Sequence, residues 1–263
     1  MTARIISADE RMSQKGKVKA LVVGKSGAGK TSLVLTLRDT RALFVDFEAG
    51  MLSVQNWPGD AIQVRTWQDA VNLVCLIGGP NPAAPADQPY SQAHFDYVQG
   101  LYGPREEVLG RYDLIFMDSL TVLSRLCLSW AEQQPDAIAK NGAKDMRAAY
   151  GILGREMMRL LVHAQHTPDL HVIFVAILDE LADDFGRKTF QPQLEGSKVS
   201  REIGGIVDEI LTLDIQHDAD GTPRRVFVTD PANERGLPAK DRSGKLAPVE
   251  PADLEHIIAK ING

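Results

Sequence analysis

The chain has 263 residues, 29 Lys and Arg against 35 Asp and Glu, a formal net charge of −6 and 44% hydrophobic residues. That is the profile of an ordinary globular protein, long enough to bury a core without covalent staples. No apolar run approaches the roughly 20 residues of a membrane span, the start MTARIISADERMSQ has no signal-peptide core, and the acidic balance excludes a chain-wide nucleic-acid coat but not a local basic groove.

Residues 1–16 read as a polar N-terminal arm and 17–263 as one domain. KVKALVVG (17–24) predicts a strand, GKSGAGKTS (24–32) a glycine-rich loop, TSLVLTLRDT (31–40) a helix and ALFVDF (42–47) a second strand. This βαβ order implies a parallel sheet. AIQVRTW (61–67) predicts a strand and WQDAVNLVCLIGG (67–79) a helix. GGPNPAAPADQPYS (78–91) reads as a surface loop inside a variable insertion, 79–111, that includes two short helices. RYDLIFMDS (111–119) predicts a buried strand, 120–134 a helix, 134–146 a loop, 148–165 a long amphipathic helix and HVIFVAIL (171–178) another buried strand. Residues 179–202 are polar and aperiodic and read as a long loop. VDEILTLDIQ and RRVFVTD flank HDADGTP, a hairpin signal, and PADLEHIIAKI (251–261) predicts the last helix. Cys75 and Cys127 lie in apolar stretches and are expected to be reduced core thiols of a cytoplasmic protein, since two cysteines make neither a disulfide framework nor a four-cysteine zinc site.

The loop Gly24-Lys25-Ser26-Gly27-Ala28-Gly29-Lys30-Thr31, followed by Ser32, fits G-x-x-x-x-G-K-[ST] between a strand and a helix. Its glycines let successive N–H groups point at phosphate oxygens, Lys30 reaches the β and γ phosphates, and the Thr31 hydroxyl joins Mg²⁺. Asp118 ends a buried strand, where it can hold the Mg²⁺ shell or, with Ser119, cap the next helix. Asp46 and Glu48 end the neighbouring strand and point the same way, so either can polarise water. The six histidines show no metal-ligand spacing, and no Asn-Lys-x-Asp guanine-specificity motif is present.

Together these residues resemble the RecA-like P-loop ATPases, with an α/β core of mostly parallel strands flanked by helices and a late antiparallel hairpin. The D-x-E of FVDFEAG and the Asp-Ser of LIFMDSL match that family, which implies that Glu48 activates water and Asp118 serves Mg²⁺-ATP. LPAKDRSG (237–244) resembles the K-x-R loop of the RecA/DnaB/KaiC group. The resemblance implies that Lys240 and Arg242 reach the ATP of a neighbouring subunit in a filament or ring, as an arginine finger does. It is closest to the phage subgroup of compact RecA-like recombination and single-strand annealing proteins, which implies single-stranded DNA and a single-strand binding protein as partners. By position, 133–147 and 183–201 are counterparts of the family's DNA loops. The second carries Phe185, Arg187, Lys188, Phe190, Lys198 and Arg201, cations for phosphates and rings for base stacking. The alternatives are a motor or regulatory ATPase of the DnaB or KaiC type, and a DNA-binding module that holds nucleotide as a structural ligand. Where RecA carries a polar γ-phosphate sensor, this chain has Ile177, with Asp179 and Glu180 nearby.

Overall fold

The computed structural model describes residues 7–9, 16–182, 185–186 and 188–263. Most of the predicted N-terminal arm lies outside the described residues, as does Arg187. The strands are β1 (Lys19–Gly24), β2 (Ala42–Asp46), β3 (Asp60–Gln63), β4 (Leu114–Asp118), β5 (His171–Ala182), β6 (Lys188–Pro192), β7 (Glu209–His217), β8 (Pro223–Val228), β9 (Lys240–Asp241) and β10 (Val249–Pro251). The helices are α1 (Trp67–Gly78), α2 (Gln92–Tyr102), α3 (Arg105–Leu109), α4 (Leu120–Ala131), α5 (Met146–Gln165), α6 (Ser197–Ile206) and α7 (Leu254–Asn262).

The sheet runs β10-β8-β7-β1-β5-β4-β2-β3, with β6 on β5 and β9 on β7. From β7 to β3 every pair is parallel; β8, β9 and β10 pair antiparallel, and β7–β8 is the expected hairpin. Central strands bury both faces, which is why they read as continuous apolar runs. Leu21, Val23, Met117 and Phe174 face the layer formed by α1, α4, α5 and α6. Ala20, Val22, Phe116 and Ile173 face the opposite layer, closed by residues 31–37 and α7. Phe44, Phe116, Phe174 and Phe227 are fully buried, and each contributes roughly 1.5–3 kcal/mol by leaving water. This is the α/β core of mostly parallel strands, flanked by helices and carrying a late antiparallel hairpin, that the resemblance implies. Both cysteines are buried and reduced, and among the described residues no helix is long and apolar enough to cross a membrane.

Three expectations are corrected. The helix predicted over 31–40 is a 3₁₀ helix, Thr31–Thr36. Three of its six residues are β-branched, and the Thr36 hydroxyl bonds back to Leu33 O at 2.6 Å while accepting from Leu254 N at 2.9 Å, which ends the helix and ties it to α7. The loop predicted over 179–202 is structured instead. β5 runs on to Ala182, turns back as β6, and leads into α6. Val199, Ile203 and Ile206 are buried along one stripe of α6, a helical spacing masked by the polar residues around it. The long helix also starts at Met146 rather than 148, because Asp145 caps it through Ala148 N.

Candidate active site

β1 delivers the phosphate loop at the carboxyl edge of the sheet. Gly24 stands in register with Ile177 of β5 and Leu213 of β7, and a Cβ there would lie 3.1 Å from the Leu213 carbonyl oxygen. Gly27 and Gly29 have φ of 76° and 95°, a region that L side chains rarely adopt. The loop therefore folds back on itself, with Lys25 and Ser26 exposed, Ala28 buried and Ser32 within the 3₁₀ helix that follows. The Lys30 Nζ donates to Gly24 O and Lys25 O, both at 2.9 Å. Burial holds its pKa below the ordinary lysine value, against the pull of Asp118 and then Glu48.

The acids gather beside it. Asp118 ends β4 and is buried; its Oδ2 accepts from the Thr31 hydroxyl at 2.6 Å. Burial pushes its carboxyl up to about 6; the Thr31 bond and Lys30 work against this, and Glu48 and Asp46 add to it. The cap of α4 is Ser119, not Asp118: its Oγ accepts from Val122 N at 3.4 Å and donates to Glu48 Oε1. The Asp118–Ser119 peptide is cis. Glu48 itself is exposed, so its carboxylate is both held and open to solvent. Asp46 is 2% exposed and stands in register with Asp118 across β2 and β4. Thus Lys30, Thr31, Asp118 and Glu48, four residues from three segments of sequence, meet at one edge.

Two contacts here had no signal in the sequence. Arg225 of β8 donates from Nε to Ala28 O at 2.9 Å, and its guanidinium would lie 3.0 Å from a Cβ at Gly29. Lys25 of the loop pairs with Glu180 at 3.3 Å, and Glu180 pairs with Lys188 of β6 at 2.6 Å. This chain of charges links the phosphate loop to the β5–β6 hairpin, three residues beyond the apolar Ile177.

The remaining predicted residues lie elsewhere. Lys240 and Arg242 sit at the amino edge of the sheet, where β9 pairs with the start of β7. Glu209 is in register with Ala20, four residues before Gly24, about 13 Å away along β1 at the usual strand rise. The structure does not bring them to the phosphate loop of their own chain. The Lys240 Nζ donates to Gly204 O and Val207 O at 2.7 Å, and Arg242 pairs with Asp208 at 2.7 Å. On the second candidate DNA segment, Phe185 is exposed, and Lys198 and Arg201 are exposed three residues apart on α6. Lys188 is engaged by Glu180. Phe190 is half-buried, laid by β6 against the core beside α6. In the first segment, Lys144 pairs with Glu132 at 2.6 Å and closes a short turn onto Ile138.

A family model described as an AAA domain matches residues 16–243. No curated protein matches the sequence. Among solved structures, similarity is found to an ATPase from the type III secretion system of pathogenic bacteria, with 15% identity and a TM-score of 0.38 over 75% of this chain and 51% of that one. The flagellar accessory protein FlaH from Methanocaldococcus jannaschii gives 9% identity and 0.36, covering 85% and 82%. The P4 protein from bacteriophage phi13 gives 11% and 0.29, covering 81% and 55%. The chain spans about half the length of the secretion ATPase it matches.

Proposed function

The chain belongs to the AAA domain family of P-loop ATPases, and from that premise we propose that it hydrolyses ATP as a homo-oligomer working on single-stranded DNA, in recombination or annealing of the phage type. The observation that carries the ATPase reading is the meeting of Lys30 and Thr31 with Asp118 and the Ser119-held Glu48 at one strand edge.

The same edge fits Mg²⁺. The Thr31 hydroxyl and Asp118 meet there, and Asp46 Oδ2 beside them is buried with no protein donor, so a charge arriving with the nucleotide finds polar groups unmet; among the described residues no three acidic, histidine or cysteine side chains form a metal cluster by themselves. Thr31 would hold the metal directly and Asp118 through its shell; bound there, Mg²⁺ spreads the negative charge of the phosphates. The chain's own residues do the rest. The loop N–H groups cradle the phosphates. Lys30 exchanges its two carbonyl partners for phosphate oxygen. Glu48, oriented by Ser119, takes the proton of the attacking water. Lys240 and Arg242 supply positive charge from the next subunit, once they leave the α6 carbonyls and Asp208.

DNA contact is supported by Phe185, Lys198 and Arg201, exposed beside a hairpin that Glu180 ties to the phosphate loop. A second reading, a regulatory or motor ATPase directed at protein, is favoured by Phe190 and Lys188, which are already engaged within the chain. One experiment separates the two. ATP hydrolysis is measured with and without single-stranded DNA, for the parent and for Glu48→Gln. The proposal expects stimulation by DNA, and a loss of roughly 10²–10⁴-fold in the variant. Turnover indifferent to DNA supports the protein-directed reading, and turnover unchanged in Glu48→Gln removes Glu48 as the base.

A further inference from the structure

We propose that Asp46 is a positioning residue for ATP hydrolysis, with one carboxylate oxygen building the turn that presents Glu48 and the other anchoring a water that it shares with Asp118. The inference rests on the ATPase reading above and adds a residue to it.

The turn is explicit in the geometry. Asp46 Oδ1 accepts from Glu48 N at 3.0 Å and from Gly50 N at 3.2 Å. Between those two donors Ala49 is held at φ 57°, a left-handed conformation that costs a residue with a side chain roughly 1–2 kcal/mol. Asp46 thereby bends the chain just past β2 and turns Glu48 toward the Ser119 hydroxyl. Without those bonds Ala49 relaxes, and the carboxylate of Glu48 is free to leave Ser119.

The second oxygen carries the rest of the argument. An asparagine makes the same turn through its carbonyl and buries no charge. This position instead holds a carboxylate, 2% exposed, directly beside the buried carboxylate of Asp118 on the next strand. Two neighbouring buried acids repel, and an unpaired buried acceptor costs about 1–3 kcal/mol. Asp46 Oδ2 has no protein donor, whereas the neighbouring Asp118 Oδ2 has Thr31. A parallel pair in register puts both side chains on the same face of the sheet. The arrangement is relieved by a water lying between the two carboxylates, at the edge where Mg²⁺-ATP is to bind. Asp46 thus acts on the reaction through Glu48 and through that water, without touching the nucleotide.

Two variants separate these roles from a merely structural one. Asp46→Asn keeps the turn acceptor and puts an amide nitrogen where the second oxygen was. Asp46→Ser keeps a short acceptor with no second oxygen and serves if the first fails to fold. Steady-state hydrolysis gives kcat and KM. Thermal shift with a non-hydrolysable ATP analogue, titrated with Mg²⁺, gives the metal dependence of nucleotide binding independently of turnover. The expected result is a melting temperature near the parent's, KM little changed, kcat lowered roughly 10–100-fold, and a several-fold higher Mg²⁺ concentration for half-maximal shift. A parental kcat together with a parental Mg²⁺ dependence overturns the inference and leaves the ATPase reading intact. If the parent binds ATP without turning it over, the ATPase reading fails, and the Mg²⁺ titration still decides the role of the second oxygen.

Discussion

At the carboxyl edge of the sheet Lys30 rests on two backbone carbonyls, and at the amino edge Lys240 does the same, yet the two bonds mean different things. The carbonyls under Lys240, Gly204 and Val207, belong to the end of α6, where carbonyls have no helical partner. Lys240 closes them, and its neighbours are closed too. Glu209 accepts from the backbone N–H groups of Arg242 and Ser243, Lys19 donates to Lys17 O and Leu170 O, and His171 Nδ1 accepts from Val18 N. The carbonyls under Lys30 belong to its own glycine loop, and beside it Asp46 Oδ2 is left without a donor. The groups around Lys240 partner one another; the set around Lys30 becomes complete with a ligand. A buried, incompletely satisfied cluster of charge is a poor device for stability and a good one for binding a charged molecule.

The most severe way to break this comparison is Lys30→Ala. It removes the buried cation facing Asp118 and Glu48 and should lower ATP hydrolysis by roughly 10²–10³-fold or more, while the melting temperature of the nucleotide-free protein stays within a few degrees of the parent. A large loss of stability instead would mean that Lys30, like Lys240, serves the fold.

The next test carries the comparison across subunits. Arg242→Ala breaks a half-exposed pair with Asp208, worth at most about 1 kcal/mol to the fold, but should silence the site of the adjacent subunit. Mixed with Lys30→Ala in equal amounts, it should regain roughly a quarter of parental turnover, the share of interfaces that pair an intact phosphate loop with an intact Arg242. Two inactive variants that stay inactive when mixed would leave Arg242 as an ornament of the amino edge.

What could be read from the sequence follows the same division. Gly24 to Thr31 are consecutive, and Asp118 and Glu48 sit at the ends of apolar runs, so local pattern was enough to find them. Arg225 reaches Ala28 across 197 residues, and only the β7–β8 hairpin beside β1 makes them neighbours. Glu180 and Lys188 were read as parts of a loop because β5 leaves the core at Leu178 and becomes polar, so its continuation and β6 carry no two-residue hydrophobic alternation. α6 did carry a signal, Val199, Ile203 and Ile206 at helical spacing, but Lys198, Arg201 and Glu202 among them read as solvated loop. The 3₁₀ helix after Lys30 misled in the opposite sense, since its length is set by a hydrogen bond from Leu254, far along the chain.

The gentlest test acts on the amino edge through pH. Burial, and then Asp241, push the Glu209 carboxyl up to about 7 from an ordinary value near 4.5. The folded chain therefore holds this proton more tightly than the unfolded chain does, so the contribution to stability is full below about 4.5 and is lost as pH rises through 7. Glu209→Gln mimics the protonated acid, and should remove about 1–3 kcal/mol of that loss. Melting temperatures at pH 5 and pH 8 read it out: the parent should decline more steeply than the variant, and parallel curves would refute the assignment. Any penalty for the acceptor that glutamine lacks is the same at both pH values and cancels. The repulsion from Asp241 is opposed by the Arg242 and Ser243 N–H groups, which donate to the Glu209 carboxylate, so the slope measures the balance of burial against these bonds.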